Sequence, residues 1–245
     1  MSWLIALIIN TILIALAQRL PLLTKAGWVH AGLLGTLLWG GIGWQAWVAV
    51  VAYLVMGSTV TRLGWRVKKR EGLEQSRGGR RGPENVWGSA ATGAALAILI
   101  GTGLEPRALF LVGFAASFSA KLADTFGSEI GKRWGHTTVL ITTFRRVPAG
   151  TEGAISLEGT FASAIGSILM TAVMCGLGLL STAQQAVVVA VVGLIATIAE
   201  SFLGALAQNR ISWLSNELVN ALQTAFAACL AMLLFLLVNR DTLVF

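Results

Sequence analysis

The sequence contains few charged residues and few cysteines, and each shortage excludes a class of protein. Only 12% of the 245 residues are charged, whereas 56% are hydrophobic and the mean hydropathy is +0.76. These values exclude an ordinary soluble globular domain. The two cysteines, Cys175 and Cys229, lie in apolar stretches without metal-ligand spacing, so we expect them to act as small hydrophobic side chains. The sequence also lacks a glycine-rich motif ending in Gly-Lys-Ser or Gly-Lys-Thr, which excludes a P-loop enzyme.

Long apolar stretches make up most of the chain, and they approach the ~20 residues that a helix needs to cross a ~30 Å hydrocarbon core. We therefore expect an all-α, polytopic integral membrane protein with about 7–8 transmembrane helices in a single transmembrane domain over residues 1–245. Two polar stretches, about residues 63–86 and 131–157, are predicted to be cytoplasmic loops. The predicted spans are roughly 3–18, 27–42, 45–62, 87–102, 107–123, 158–180, 185–207 and 217–238.

The positive charges are distributed unevenly along the chain, and the net charge is +7. If the N-terminus lies outside, sixteen of the eighteen Lys and Arg residues fall on the cytoplasmic side, and only Arg107 and Arg240 fall outside. This asymmetry follows the positive-inside rule and argues against nucleic-acid binding. The basic stretch 62–81 is interpreted as a topology anchor beside anionic lipid headgroups, although a role in gathering an anionic nucleotide stays open.

The segment between residues 121 and 158 is polar, in contrast to the rest of the chain. If the fifth span continues as a helix, Lys121, Asp124, Thr125 and Ser128 lie at i, i+3, i+4 and i+7 and share one face, which Lys132 rejoins. Lipid tolerates such groups only where they face a polar cavity or the membrane surface. An aspartate with a hydroxyl one turn away can hold Mg²⁺ while a lysine neutralises phosphate. The alternative is a Lys121–Asp124 ion pair that only neutralises itself.

Further carboxylates are predicted near the same membrane face, where a divalent cation would relieve their repulsion. Glu200 lies inside a strongly apolar span, so we expect it to contact metal or substrate; a buried ion pair or a helix-packing hydrogen bond is the alternative. Glu129 points about 140° away from Asp124 on the helical wheel unless the helix breaks at a neighbouring glycine. The other polar groups predicted here are Glu152, Glu158 and Glu217, with Asn216 and Asn220 beside Glu217. Asn216, Glu217 and Asn220 could equally form a helix N-cap.

Local signals mark where helices and turns begin. Pro83 and Glu84 predict a helix start whose free N–H groups could bind an anion. Ser156 is predicted to cap the sixth span, with Glu158 in its first turn. The stretch 137–144 is rich in β-branched residues and predicts a short strand or an extended lid.

Three longer motifs carry a family resemblance. They are Gly-Pro-Glu-Asn-Val-Trp-Gly-Ser at 82–89, Ala-Asp-Thr-Phe-Gly-Ser-Glu-Ile-Gly at 123–131, and Val-Pro-Ala-Gly-Thr-Glu-Gly-Ala-Ile-Ser-Leu-Glu-Gly-Thr at 147–160. With these motifs, most of the chain resembles the polytopic membrane family that contains phytyl-phosphate kinase of chloroplasts and cyanobacteria, together with uncharacterised relatives. The Asp-Thr-Phe and Gly-Thr elements are more distantly similar to phytol and dolichol kinases, which use CTP.

The resemblance implies a membrane-embedded isoprenoid phosphate kinase. Such an enzyme transfers the terminal phosphoryl group of a nucleoside triphosphate, with CTP expected, to phytyl or another prenyl monophosphate. The product is the diphosphate used in tocopherol and quinone synthesis. Magnesium is the expected cofactor, and the expected partners are the nucleotide, the isoprenoid phosphate lipid and membrane lipid.

The resemblance and the residue pattern together suggest roles for individual side chains. The catalytic candidates are Asp124, Lys121 and Glu152. The candidate Mg²⁺ ligands are Asp124, Glu129, Glu158 and Glu200. The residues expected to hold nucleotide and phosphate are Arg81, Asn85, Ser128, Lys132, Arg145, Arg146, Gly150, Thr151 and Gly153. The lipid tail is expected between spans, near Glu200, Gly204 and Ala205.

Two other functions remain as alternatives: a transporter of an ion or isoprenoid lipid, and a CTP-dependent lipid cytidylyltransferase. The clustering of polar residues at one membrane face, rather than at mid-depth, favours the enzyme over the transporter. We expect the active face to be cytoplasmic, in a plasma or thylakoid membrane. The sequence leaves open a homodimer, the nucleobase, the length of the lipid, and whether the acceptor is the alcohol or the monophosphate.

Overall fold

The protein is predominantly helical. A computed structural model describes residues 2–208 and 210–239, and within these ranges the chain forms nine α-helices and one two-stranded sheet. The helices are α1 (Ser2–Ala17), α2 (Lys25–Gly41), α3 (Trp44–Arg62), α4 (Trp65–Arg70), α5 (Pro83–Gly101), α6 (Arg107–Trp134), α7 (Leu157–Gly176), α8 (Ala183–Leu203) and α9 (Asn216–Val238). A 3₁₀ turn covers Ser76–Gly79, and α8 continues as a π-helical turn over Gly204–Gln208.

The expectation of an all-α protein needs one correction, because the loop after α6 contains a short sheet. Strands β1 (Val139–Leu140) and β2 (Ala154–Ile155) pair antiparallel, with Val139 opposite Ile155. This result confirms the predicted strand within 137–144, where β-branched residues favour extended backbone. The sheet closes the loop on itself, with residues 141–153 as its inner part.

The eight helices of 16 residues or more coincide with the eight predicted spans. Among the described residues, five helices have the length and hydropathy needed to cross a membrane. They are α3, α6, α7, α8 with its π-helical extension, and α9, whereas α1 is apolar but shorter. Length and composition therefore support five candidate spans, and the count of 7–8 expected from the sequence stays a prediction.

Helix α6 is the central helix of the bundle. It packs against α3, α5, α7, α8 and α9, and its middle section from Val112 to Ala123 is continuously buried. Small residues such as Ala116 and Ala120 allow neighbouring backbones to approach closely, while Phe114 and Phe118 fill the space on one side. Helices α1 and α2 lie at the periphery, where α1 packs on α2 and α2 packs on α5.

The tightest helix pair is α6 with α7, and glycines make it so. A Cβ on Gly166 would lie 2.9 Å from the carbonyl oxygen of Leu122, and one on Gly159 would lie 2.9 Å from that of Gly127. Deeper in the bundle, the Ser119 hydroxyl forms hydrogen bonds with both Ser167 and Thr171, at 2.9 and 3.1 Å. These contacts hold α6 and α7 in a fixed register, as small and hydroxyl residues do between membrane helices.

Three helices begin at the same end of the bundle, and two of them begin with a side-chain N-cap. The Ser156 hydroxyl accepts a hydrogen bond from Gly159 N–H at 3.1 Å, which confirms the predicted cap of α7. Ser215 caps α9 in the same way, and α5 starts with Pro83 in its first turn, as expected. Helix α6 runs on to Trp134, so the second long loop begins at Gly135 rather than at residue 131.

Candidate active site

A polar cavity of about 470 Å³ lies at the end of the bundle where α5, α7 and α9 begin. It is lined by residues of α3, α5, α6, α7, α8 and α9 and of the loops after α3 and after α6. Asn85, Gly159 and Asn216, from the first turns of α5, α7 and α9, belong to the lining. Helix N-termini present free N–H groups and a partial positive charge. The cavity is therefore suited to an anionic ligand such as phosphate.

The polar face predicted on α6 lines this cavity. The helix is unbroken from Arg107 to Trp134, and Lys121, Asp124, Ser128 and Lys132 all contribute to the lining. Thr125 is also part of the lining, although its hydroxyl donates a hydrogen bond to the Lys121 carbonyl oxygen at 2.9 Å. An uninterrupted helix with this spacing places basic, acidic and hydroxyl groups one above another along the cavity wall.

A group of polar side chains in the cavity is linked across three helices. Lys121 forms an ion pair with Asp124, and its ammonium also donates a hydrogen bond to Asn220 Oδ1 of α9 at 2.8 Å. Glu200 of α8 lies close enough for its charge to interact with those of Asp124 and Lys121. We call these four residues, together with Tyr53 of α3, the cavity floor. The Lys121–Asp124 ion pair, left as an alternative by the sequence, is present, but it lies within a larger polar group rather than alone.

Arg81 reaches the floor from the loop before α5. Its Nη1 donates to the Tyr53 hydroxyl at 2.7 Å, and its guanidinium carbon lies 5.1 Å from the Tyr53 ring centre. Gly57, one turn after Tyr53, leaves the required space, because a Cβ there would lie 2.6 Å from Arg81 Nη2. Among the described residues no carboxylate pairs with Arg81. Its remaining donors are thus available to an anion in the cavity.

Asn85 links the starts of α5 and α9. Its Oδ1 accepts hydrogen bonds from Gly82 N–H at 3.0 Å and from Arg77 at 2.9 Å, and its Nδ2 donates to Glu217 Oε1 at 3.2 Å. Both Asn85 and Glu217 line the cavity. Asn85 therefore fixes the relative positions of two helix N-termini at the rim, whichever ligand they hold.

The turn formed by Gly150, Thr151, Glu152 and Gly153 closes one side of the cavity, and all four residues line it. Gly150 and Gly153 have φ values of +84° and +74°, which disfavour residues with a Cβ. Burial raises the pKa of the Glu152 carboxyl, the neighbouring Lys132 opposes that rise, and Asp124 adds to it. The turn thus brings a carboxylate from the loop towards the polar face of α6.

The carboxylates near the floor are candidate ligands for Mg²⁺. Among residues 2–208 and 210–239, no three His, Cys, Asp or Glu side chains form a preassembled metal-ligand group. Mg²⁺ commonly uses only one or two protein carboxylates and completes its shell with water and substrate phosphates. The Glu200 carboxylate has no hydrogen-bond or ion-pair partner in the described part of the chain, and its charge repels that of Asp124. Asp124 and Glu200 therefore fit a Mg²⁺ ion that binds together with phosphate rather than alone.

Four of the residues proposed from the sequence have different surroundings from those expected. Glu129 forms an ion pair with Lys68 and accepts a hydrogen bond from Gln75 at 2.8 Å, with 1% of its side chain exposed. Glu158 lies outside the cavity lining and contacts His136 at 2.6 Å. Arg145 and Arg146 also lie outside the lining and are exposed in the loop between β1 and β2. The loop folds so that its glycine-rich turn, rather than its two arginines, faces the cavity.

Sequence reasoning also missed residues that line the cavity. Tyr53 is the only tyrosine of the chain, and a single tyrosine in an apolar span, one turn before a glycine, was a signal that could have been used. Several other lining residues have hydroxyl or amide side chains that give no such signal in a sequence, among them Thr61, Gln75, Ser89 and Thr197.

The fold and the cavity define a class of protein: a helical membrane protein with a charged, polar cavity at one end of its bundle. The chain belongs to the integral membrane protein family DUF92, whose model matches residues 8–228. This membership confirms the family resemblance identified from the motifs. No solved structure matches the chain.

Relatives are found in bacteria, plants and archaea. An uncharacterized membrane protein of Synechocystis is 46% identical over 232 residues, which cover 94% of this chain and 90% of the relative. Protein VTE6, chloroplastic, of Arabidopsis thaliana is 39% identical over 248 residues, covering 97% of this chain and 74% of the relative. An uncharacterized membrane protein of Methanocaldococcus jannaschii is 26% identical over 231 residues, covering 94% and 93%.

Proposed function

We propose that this protein is a membrane-embedded kinase for isoprenoid monophosphates. It transfers the terminal phosphoryl group of a nucleoside triphosphate, with CTP as the expected donor, to phytyl or a similar prenyl monophosphate. The proposal combines the motif resemblance to the family of phytyl-phosphate kinase with the 39% identity to the chloroplast protein VTE6. The product is an isoprenoid diphosphate, and the donor leaves as the nucleoside diphosphate.

The observation that carries the proposal is the position of the cavity. It lies at one end of a membrane bundle, where a water-soluble donor can enter, and its floor lies between membrane helices, where a lipid can reach it. The N-termini of α5, α7 and α9, with Arg81 and Lys132, supply positive charge for phosphate groups. Since most of the basic residues belong to the loops at this end, we assign it to the cytoplasmic face.

Each group of residues has a defined task in this reaction. The acceptor is already an anion near neutral pH, so an oxygen of its phosphate attacks the γ-phosphorus while the bond to the β-phosphate oxygen breaks. Positioning and charge neutralisation then dominate catalysis. Lys121 and Arg81 would hold the acceptor phosphate at the floor, and Lys132 with the turn 150–153 would hold the donor triphosphate at the rim. Asn220 fixes the position of the Lys121 ammonium.

Asp124 and Glu200 would hold Mg²⁺, with Glu152 as the carboxylate nearest to the rim. When bound, the ion would offset the charge of the donor phosphates. The ion pair with Lys121 keeps Asp124 in a fixed orientation before any ligand arrives. Glu158, by contrast, is occupied by His136, so we do not include it among the ligands.

The structure also favours an enzyme over the alternative of a transporter. Below the floor, the interior of the bundle is filled by fully buried side chains from α6 and α7: Phe114, Phe118, Met170 and Met174. A transporter places its substrate site near mid-depth, with access alternating between the two sides. Here the polar cavity is confined to one end, and a packed apolar core closes the other side.

The test is a transfer assay with purified protein in liposomes. The reaction contains Mg²⁺, γ-labelled CTP or ATP, and phytyl or geranylgeranyl monophosphate. We expect label in the isoprenoid diphosphate, and we expect Asp124→Asn to lower the rate by about 10²–10³-fold, as loss of one stabilising charge does at other active sites. The melting temperature of the variant is measured alongside to show that it remains folded.

Two results would contradict the proposal. The first is the absence of transfer from CTP or ATP to any isoprenoid monophosphate or alcohol. The second is an Asp124→Asn variant that is as active as the original protein. A release of pyrophosphate, with the nucleotide attached to the lipid, would instead identify the cytidylyltransferase alternative.

A further inference from the structure

Most of the cavity wall is polar, but α8 contributes two apolar side chains to it. Leu194 and Ile198 line the cavity together with the polar groups described above. Ile198 is also 40% exposed, and it shares the outward face of α8 with the exposed side chains of Val191, Ile195 and Phe202. A residue that belongs both to the cavity wall and to the lipid-facing surface marks a place where the cavity reaches the side of the protein.

This place lies between α7 and α8. Deeper in the bundle the two helices are in contact, since the Ser167 hydroxyl donates to the Ala190 carbonyl oxygen at 2.7 Å. From that contact towards the end that holds the cavity, both helices contribute residues to the cavity lining, and among these Thr160 and Ile198 are also exposed. We call four of the lining residues on this side the α7–α8 portal: Thr160 and Ser163 from α7, and Leu194 and Ile198 from α8.

The polarity of α8 changes along the cavity. Glu200 and Ser201 lie nearest to the helix end, Thr197 follows, and Leu194 lies roughly 9 Å deeper than Glu200 along the helix axis. This order matches an amphiphile with its phosphate beside Lys121 and Arg81 and its hydrocarbon chain directed into the bilayer. A headgroup in the reverse orientation would place its charge against leucine and isoleucine.

The volume of the cavity leads to the same arrangement. About 470 Å³ is within the range of sites that hold one drug-sized molecule. A nucleoside triphosphate and the full length of a long hydrocarbon chain do not fit into it together. The chain of the acceptor must therefore leave the cavity while its phosphate stays at the floor.

The route expected from the sequence, past Gly204 and Ala205, is blocked by the loop. Gly153 lies against these residues, and a Cβ on Gly153 would lie 2.5 Å from the Ala205 backbone nitrogen. The turn that supplies Glu152 thus covers the end of α8. The lateral route beside Ile198 has no such cover in the described part of the chain, since Ile198 is exposed.

We propose that the cavity opens sideways into the bilayer through the α7–α8 portal, and that the hydrocarbon chain of the acceptor lipid leaves the cavity there, past Leu194 and Ile198. The proposal rests on the proposed function, and it adds the route by which a membrane-bound substrate reaches a site that is otherwise open to water. It also makes the portal the element that distinguishes long acceptors from short ones.

The first test compares two acceptors with one blocking variant. Ile198→Trp fills the portal, so we expect kcat/KM for twenty-carbon phytyl monophosphate to fall by about tenfold or more, as overpacking of a fitted site costs. A five-carbon prenyl monophosphate needs no portal, and its kcat/KM should change by less than about twofold. Ile195→Trp is the matched control, because Ile195 is 41% exposed on the same helix but does not line the cavity. This variant should leave kcat/KM unchanged for both acceptors.

The proposal is overturned if Ile198→Trp lowers kcat/KM equally for both acceptors, or for neither.

A second measurement does not depend on phosphoryl transfer. Wild-type protein in liposomes is irradiated with a phytyl-type monophosphate that carries a diazirine in its chain, and the labelled residues are mapped by mass spectrometry. We expect label on the α7–α8 portal, removed by excess phytyl monophosphate.

The two measurements separate failure of the portal from failure of the kinase. Competed label on the portal in a protein that transfers no phosphoryl group would refute the proposed function and leave the lipid route standing. Label spread over the lipid-facing helices, without competition, would refute the portal whatever the activity. Transfer to both acceptors with normal chain-length dependence in Ile198→Trp would refute the portal alone.

Discussion

Lys68 of α4 and Glu129 of α6 form an ion pair that is almost completely removed from solvent, with 0% and 1% of their side chains exposed. The Lys68 ammonium also donates to the Thr61 carbonyl oxygen at 2.7 Å, and Gln75 donates to the other Glu129 oxygen. The loop after α3 is thereby fixed to the central helix, beside the cavity. Glu129 had been expected to hold metal, but its oxygens are already used within the protein.

This pair predicts a loss of stability rather than a loss of chemistry when it is broken. Lys68→Met or Glu129→Leu leaves one buried charge without its partner, which costs about 3–5 kcal/mol when a buried ion pair is broken. The double variant Lys68→Met/Glu129→Leu should recover much of that loss, because no unpaired charge remains. The free energy of unfolding in detergent is measured for the two single variants and the double variant. A loss in the double variant equal to the sum of the single losses would refute the pairing.

Arg81 is predicted to bind substrate phosphate, in contrast to the exposed arginines of the second loop. Arg81→Ala should lower kcat/KM by about 10²-fold, since hydrogen bonds from a charged group to phosphate are among the stronger polar contacts. Arg145→Ala and Arg146→Ala are matched controls and should change kcat/KM by less than about twofold. Steady-state kinetics in liposomes distinguishes the three, and a larger effect at Arg145 or Arg146 than at Arg81 would mean that the loop closes over the substrate.

Tyr53 is predicted to position Arg81. Tyr53→Phe keeps the ring beneath the guanidinium but removes the hydroxyl that accepts its hydrogen bond. We expect KM for the isoprenoid monophosphate acceptor to rise by about three- to tenfold, with a smaller change in kcat, because one hydrogen bond contributes about 1 kcal/mol net. The effect should disappear in an Arg81→Ala background, and an undiminished effect there would assign Tyr53 a role independent of Arg81.

Glu200 is predicted to set the magnesium requirement. Glu200→Gln removes one carboxylate ligand, so we expect the Mg²⁺ concentration for half-maximal activity to rise by about tenfold. Glu158→Gln is the matched control and should leave the Mg²⁺ dependence unchanged, since Glu158 contacts His136 outside the cavity. Titration of activity with Mg²⁺ at fixed nucleotide gives the answer, and equal curves for Glu200→Gln and the original protein would exclude Glu200 as a ligand.

Glu152 is predicted to reduce stability while supporting activity. Because burial raises the pKa of its carboxyl in the folded protein, ionisation becomes costlier than in the unfolded chain, and stability falls as pH rises through that window. Glu152→Gln should therefore be more stable than the original protein at pH 7–8, by less than about 1 kcal/mol, and equally stable below about pH 4. Its activity should fall at every pH.

Melting curves measured between pH 4 and pH 8 test this prediction, with transfer assays on the same preparations. The opposite result would be a Glu152→Gln variant that loses stability relative to the original protein as pH rises from 4 to 8. That result would show that the attraction of Lys132 outweighs burial at this position. Retained activity would remove Glu152 from the site.

Most of the local structure could be predicted from the sequence, because its causes are local. Apolar stretches of sufficient length specify helices, and the spacing of Lys121, Asp124, Ser128 and Lys132 places them on one face once the helix is continuous. The Ser156 cap and the strand within 137–144 follow from single residues and short compositions in the same way. The sequence also placed the important polar groups at one membrane face.

Only the tertiary structure decided which of those polar groups face one another. Glu129 is separated from Lys68 by 61 positions in the chain, and nothing in either segment indicates the pair. Likewise, Tyr53 meets Arg81 and Asn220 meets Lys121 only because α3 and α9 pack beside α6. The folding of the second loop selects Glu152 and excludes Arg145 and Arg146. Helical periodicity depends on neighbours three or four residues apart, whereas the contents of a cavity depend on contacts between segments that are distant in the chain.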